Sequence, residues 1–201
     1  MSQAVTTLQG EVCTRNAQGA LTCRAHFVDG LLDGVTERYD AAGRLEQSVP
    51  YNAGLIEGTM TTYVEGALLA RAEYVGGLRE GQFVVFGPDG AASSEVRYRA
   101  GKPDGPANYF LPGGALVRSV HHVAGLLDGE ACDYAPDGAL LARTVYKMGK
   151  KHGVAVQYHA NGRVREEAHF VDGKPVGEVR KYGPNGKPGR KMTWLDKLIE
   201  G

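Results

Sequence analysis

The sequence predicts an all-β repeat protein: an elongated, twisted antiparallel sheet of about eight consecutive β-hairpins, ending in a short helical cap. Three observations predict it. Glycine recurs on a fixed lattice, aromatic residues keep the same period, and the stretches between them are short and bounded by turn residues. Glycine fills 29 of 201 positions, about twice the ~7% of ordinary chains. Glycine pairs with three residues between them fall at Gly30 and Gly34, Gly54 and Gly58, Gly77 and Gly81, Gly101 and Gly105, Gly125 and Gly129, Gly149 and Gly153, and Gly173 and Gly177, in steps of 24 or 23. A third glycine follows each pair, as at Gly43, Gly90 and Gly114. Five residues after each second glycine stands a ring, from Tyr39 and Tyr63 to Tyr182, and a second row runs from Phe27 and Tyr51 to Trp194.

The lattice orders the elements. Residues 1–9 form an N-terminal cap, 10–186 the hairpin repeats, with units starting near 10, 34, 58, 81, 105, 129, 153 and 177, and 187–201 a C-terminal cap whose sequence reads as amphipathic helix. In the unit VTERYDAAGRLEQSVPY the two runs are too short for helices. A three-residue loop, Ala41 to Gly43 with the glycine left-handed, pairs Asp40 with Arg44 and sets Tyr39 opposite Leu45. The shortened third unit keeps that pair, because the two-residue loop Glu65-Gly66 sets Tyr63 opposite Leu68. Simple alternation then expects both aromatic rows on one face with Leu45, Val49 and Val120, and a polar face carrying Arg38 against Glu46, with Arg143 and Arg165. It also expects Cys13 opposite Cys23, where a disulfide is possible, and Cys132 opposite Ala142. A lone hairpin is marginal in water, so units must pair side by side, and sixteen strands would span on the order of 75 Å.

Composition narrows function. With 23 basic and 23 acidic side chains the net charge is zero, which argues against nucleic acid and makes an anionic membrane a poor partner. No apolar run is long enough for a spanning helix, and the first ten residues have no basic start or apolar stretch, so a cytoplasmic chain, monomeric when free, is expected. The six histidines, His26, His121, His122, His152, His159 and His169, show no metal-ligand spacing and no nucleophile motif. The glycine pairs precede strands, so they have no helix N-terminus to hold phosphate. The expectation is a non-enzyme with no catalytic residue, metal or cofactor. All nine lysines lie beyond residue 100. Rows of tyrosine suit a protein interface. The expected contact residues are the central and C-terminal rings Phe86, Tyr98, Tyr109, Phe110, Tyr134, Tyr146 and Tyr158, with Arg143, Lys150, Lys151 and Arg165 around them.

Units such as YNAGLIEGTMTTYVEG, YKMGKKHGVAVQYHANG and FVDGKPVGEVRKYGPNG resemble MORN repeats, and more closely the 24-residue variant of YwqK-like bacterial antitoxin proteins. The pattern departs at Arg15 and His122, which stand where rings are expected, and at Ala92 and Pro188, which stand where Leu or Val is expected. The resemblance implies a hairpin solenoid that binds proteins, as the immunity partner that neutralises a cognate toxin by stoichiometric occlusion. For other MORN proteins it implies a scaffold or an anionic-membrane module, which is the alternative here.

Overall fold

The computed structural model describes residues 7–189. Residues 190–201 of the expected C-terminal cap over 187–201, with Trp194, and most of the N-terminal cap lie outside them; Pro188 of that cap forms an antiparallel bridge with Tyr182. The described residues form strands and turns, with no helix. Successive strands pair antiparallel, as a chain of consecutive hairpins requires.

The chain divides into two compact units. The first holds β1 (Gly10–Arg15), β2 (Leu21–Val28), β3 (Leu31–Leu32), β4 (Gly34–Tyr39), β5 (Leu45–Asn52), β6 (Leu55–Ile56), β7 (Gly58–Val64), β8 (Ala67–Val75) and β9 (Leu78–Phe86). Strand β10 (Ala92–Arg99) gives Ser93–Val96 to the second unit and its other residues to the first. The second holds β11 (Lys102–Phe110), β12 (Leu116–Val123), β13 (Leu126–Tyr134), β14 (Leu140–Lys147), β15 (Lys150–Tyr158), β16 (Val164–Val171) and β17 (Lys174–Lys181).

Two turns alternate. At the first glycine of each pair lies a two-residue turn with both φ angles positive, as at Ala124 (50°) and Gly125 (92°), the combination of a type I′ hairpin. At the third glycine lies the expected three-residue turn. Gly43 donates to the Asp40 carbonyl and Asp40 to that of Arg44, each at 2.9 Å, and Tyr39 stands opposite Leu45. The two-residue turn at Glu65-Gly66 and the pairing of Tyr63 with Leu68 are also found.

One step beyond the turn the register changes. Arg38 pairs with Gln47, so Glu46 is an extra residue in a β-bulge, and the expected Arg38–Glu46 pair does not form. The shift recurs in β1–β2, β7–β8, β11–β12, β13–β14 and β15–β16. One extra residue reverses the pleat for the rest of the strand. The two aromatic rows therefore occupy opposite faces rather than one. Tyr39 shares a face with Glu37, to which its hydroxyl donates at 2.6 Å, while Tyr51 shares the other with Val49 and its partner Thr36. The same bulge sets Cys13 opposite Arg24 and Thr14 opposite Cys23, so the two thiols point to opposite faces and both are free. Cys132 stands opposite Arg143, not Ala142, and is also free.

Most of the core is a strip along the middle of the Tyr51-row face, with Val84 and Val156 buried on the other face. In the first unit it includes Ala25, Thr36, Val49 and Ala72, and in the second Ala107, Val120 and Ala131, then Ala168, Phe170 and Val179. Each fully buried valine contributes about 1.5–3 kcal/mol.

Candidate protein-binding groove

Along this strip one slot per repeat decides how much space remains. It holds Val12, Thr36, Met60 and Phe83 in the first unit, and Ala107, Ala131, Ala155 and Val179 in the second. Phe83 fills its slot, meeting Tyr98 edge to face at 6.1 Å, with the Arg79 guanidinium 4.6 Å over its ring. Where alanine replaces it the face is hollow. In the second unit a depression of about 350 Å³ is floored by Ala131, Ala142, Thr144, Ala155 and Ala168.

The walls differ in chemistry. One is aromatic, with Tyr146 and the buried ring of Phe170, over which the Lys151 ammonium sits at 5.2 Å from the centroid. The other is polar, with Arg118 donating to Asp133 at 2.7 Å, Gln157 accepting from Arg165, and Glu166. Arg118 and Asp133 are each more than two-fifths exposed, so their pairing adds at most about 1 kcal/mol to stability. It fixes two charges side by side at the groove wall, where they can hydrogen-bond a partner's backbone or side chains. A floor without side-chain bulk between an aromatic and a polar wall leaves open space that is apolar on one side and polar on the other.

Further along the same face a hollow of about 240 Å³ lies among Tyr109, Arg118, Val120, His122 and Leu127. His122 takes a ring position of the repeat. Its Nδ1 is buried without a partner, and burial, with His121 next to it, lowers its pKa below the ordinary histidine value.

The expected contact residues fall on both faces and in both units. Tyr109, Tyr146 and Lys151 line the groove face, and Arg165 reaches it through Gln157. Phe110, Tyr134, Tyr158 and Arg143 lie on the opposite face, where Arg143 pairs with Glu130 at 3.1 Å and burial raises the Tyr134 pKa. Phe86 and Tyr98 belong to the first unit, where Tyr98 packs on Phe83 and Arg79. Lys150 is exposed at a two-residue turn. Three histidines hydrogen-bond backbone carbonyls: His26 and His121 meet those of Asp33 and Asp128 at 3.1 and 3.0 Å, and His159 that of Tyr182 at 2.8 Å. Among the described residues no three His, Cys, Asp or Glu side chains cluster to hold a metal ion.

Two features escaped the sequence reading. One is the alanine slot, a period of 24 at Ala107, Ala131 and Ala155. The other is the acid before five of the seven second glycines. Asp33, Glu57, Glu80, Asp104 and Asp128 each accept from a backbone N–H in the next two-residue turn, at 2.7–3.2 Å. A carboxylate at a constant offset from a repeated glycine was the visible signal.

Residues 151–172 match the family described as MORN repeat variant. No curated protein matches the chain. Among solved structures, 60% of the chain aligns with 21% of a point mutant of TarM from S. aureus, solved with fondaparinux, alpha-GlcNAc-glycerol and UDP, at 10% identity and a TM-score of 0.35, too distant to carry anything across. The repeat unit is thus similar in sequence to the MORN repeat variant, over the stretch that forms nearly all of β15 and the whole of β16.

Proposed function

We propose that the chain is a non-enzymatic, protein-binding repeat protein that acts as an immunity protein, neutralising a cognate bacterial toxin by stoichiometric occlusion. The observation that carries the binding reading is the alanine-floored groove between Tyr146, Phe170 and Lys151 on one side and Arg118, Asp133 and Glu166 on the other. The MORN repeat variant at 151–172, which includes much of this groove, supports a role in binding proteins or membranes. A groove preformed on hydrogen-bonded strands loses little backbone entropy on binding, so affinity needs no chemistry of its own. Immunity is the finer part of the proposal and rests on the resemblance of the repeats to YwqK-like proteins.

The test uses the protein encoded by the adjoining reading frame. Cells expressing it should stop growing, and co-expression of this chain should restore growth, whereas the Ala155→Phe variant should not. A harmless neighbour, or toxicity that this chain leaves unchanged, refutes the immunity reading. The membrane alternative draws on Lys102, Lys150 and Lys174 at the turns of the second unit. Flotation with anionic vesicles at about 0.15 M salt, where exposed charges act over only ~8 Å, would favour it.

A further inference from the structure

The slot that Phe83 fills and the slot at Ala155 stand in the same framework, three repeats apart. Around the first, the register sets Tyr74 opposite Arg79 and Ala72 opposite Phe83. Around the second, it sets Tyr146 opposite Lys151 and Thr144 opposite Ala155. On the strand that follows, Tyr98 and Phe170 take matching places. A tyrosine, a cation and a second ring therefore frame each slot.

The occupant differs. In the first unit the Arg79 guanidinium lies 4.6 Å from the centroid of Phe83 and 5.3 Å from that of Tyr98, so one cation serves two rings. In the second unit the Lys151 ammonium lies 5.2 Å from the centroid of Phe170, close to the distance that Arg79 keeps from Tyr98. Where the other ring would stand there is only the methyl group of Ala155, on the floor of the depression of about 350 Å³. That volume exceeds the ~150 Å³ of an apolar cavity that takes up benzene. Charge complementarity selects what belongs there, because an ammonium attracts the negative face of an aromatic ring and gains nothing comparable from an aliphatic chain. The other alanine slots lack the cation. Pro103 takes its place before Ala107, and Leu127 before Ala131.

On the reading that the groove binds protein, we infer that the slot at Ala155 receives an aromatic side chain, that of phenylalanine, tyrosine or tryptophan, projecting from the bound protein. The incoming ring takes the position that Phe83 holds in the first unit, beneath the Lys151 ammonium and edge to face with Phe170.

The test needs no partner protein. N-acetyl-phenylalanine amide is titrated into the full chain carrying isotope-labelled alanine methyl groups, with the Ala155 signal identified by its loss in Ala155→Phe. The ring current of a bound phenyl group should move the Ala155 methyl signal upfield, saturating with a dissociation constant on the order of 1 mM. N-acetyl-leucine amide should bind about threefold or more weakly, and Lys151→Gln should weaken binding of the phenylalanine amide about twofold to fivefold. In Ala155→Phe the neighbouring Ala142 and Ala168 signals should no longer respond. An Ala155 signal still unmoved at about ten times the expected constant overturns the inference. So does a leucine amide that binds equally well, or an affinity unchanged in Lys151→Gln. The amide reports on the slot alone and the growth assay on immunity, so either can fail without the other. Growth rescue that Ala155→Phe abolishes, by a chain that ignores the amide, refutes the aromatic slot only.

Discussion

Single residues carry two kinds of strain that can be measured. Burial, with His121 beside it, lowers the folded pKa of His122 below that of the unfolded chain. The folded state then binds fewer protons, so stability is full above the ordinary histidine pKa of about 6.5 and declines as pH falls through and below it. His122→Phe restores the ring of the repeat and removes the titration. Thermal melts of the two proteins from pH 7.5 to 5 should show a smaller fall for the variant. Equal falls would mean that His122 is not the group responsible. Ala124 is strained differently, its φ of 50° lying in the left-handed region that alanine avoids. Asparagine suits the first position of a type I′ turn. Ala124→Asn keeps the N–H that donates to Asp104, and chemical denaturation should show it more stable by a few tenths to about 1 kcal/mol.

At the scale of the hairpin, turns were legible and bulges were not. A glycine at constant spacing announces a positive φ because few other residues tolerate one. The extra residue of each bulge, Glu46 in one hairpin, Leu141 in another and Arg165 in a third, shares no composition and so left no trace. The shortened third unit could not reveal the bulge either. Its pair, Tyr63 with Leu68, lies on the turn side of the bulge and is the same under either register. The errors over Cys13 with Cys23 and over the shared aromatic face both follow from that single missed residue. The second glycine of each pair holds the other irregularity. At Gly129, φ is 112° and an added Cβ would stand 3.4 Å from the His121 Cβ. Gly129→Ala should cost about 1–3 kcal/mol in denaturant unfolding, and a loss below about 0.5 kcal/mol would show that the glycine is not required there.

For the molecule as a whole, the lattice revealed the repeats and the class of fold, while the groove depends on what each repeat leaves out. An alanine every 24 residues has no evident meaning until the bulge fixes which face it occupies and Tyr146 and Phe170 rise beside it. The groove is the centre of the account, and the decisive comparison is between slots. Phe83 shows that this position accepts a phenylalanine in the first unit, so Ala155→Phe should fold and fill the groove. Calorimetric titration of the adjoining reading frame's protein into the unmodified chain and into Ala155→Phe is the most direct measurement. The account predicts a one-to-one complex weakened about 100-fold, or about 2.7 kcal/mol, with little change in melting temperature. Equal affinity in a variant that melts normally would contradict it.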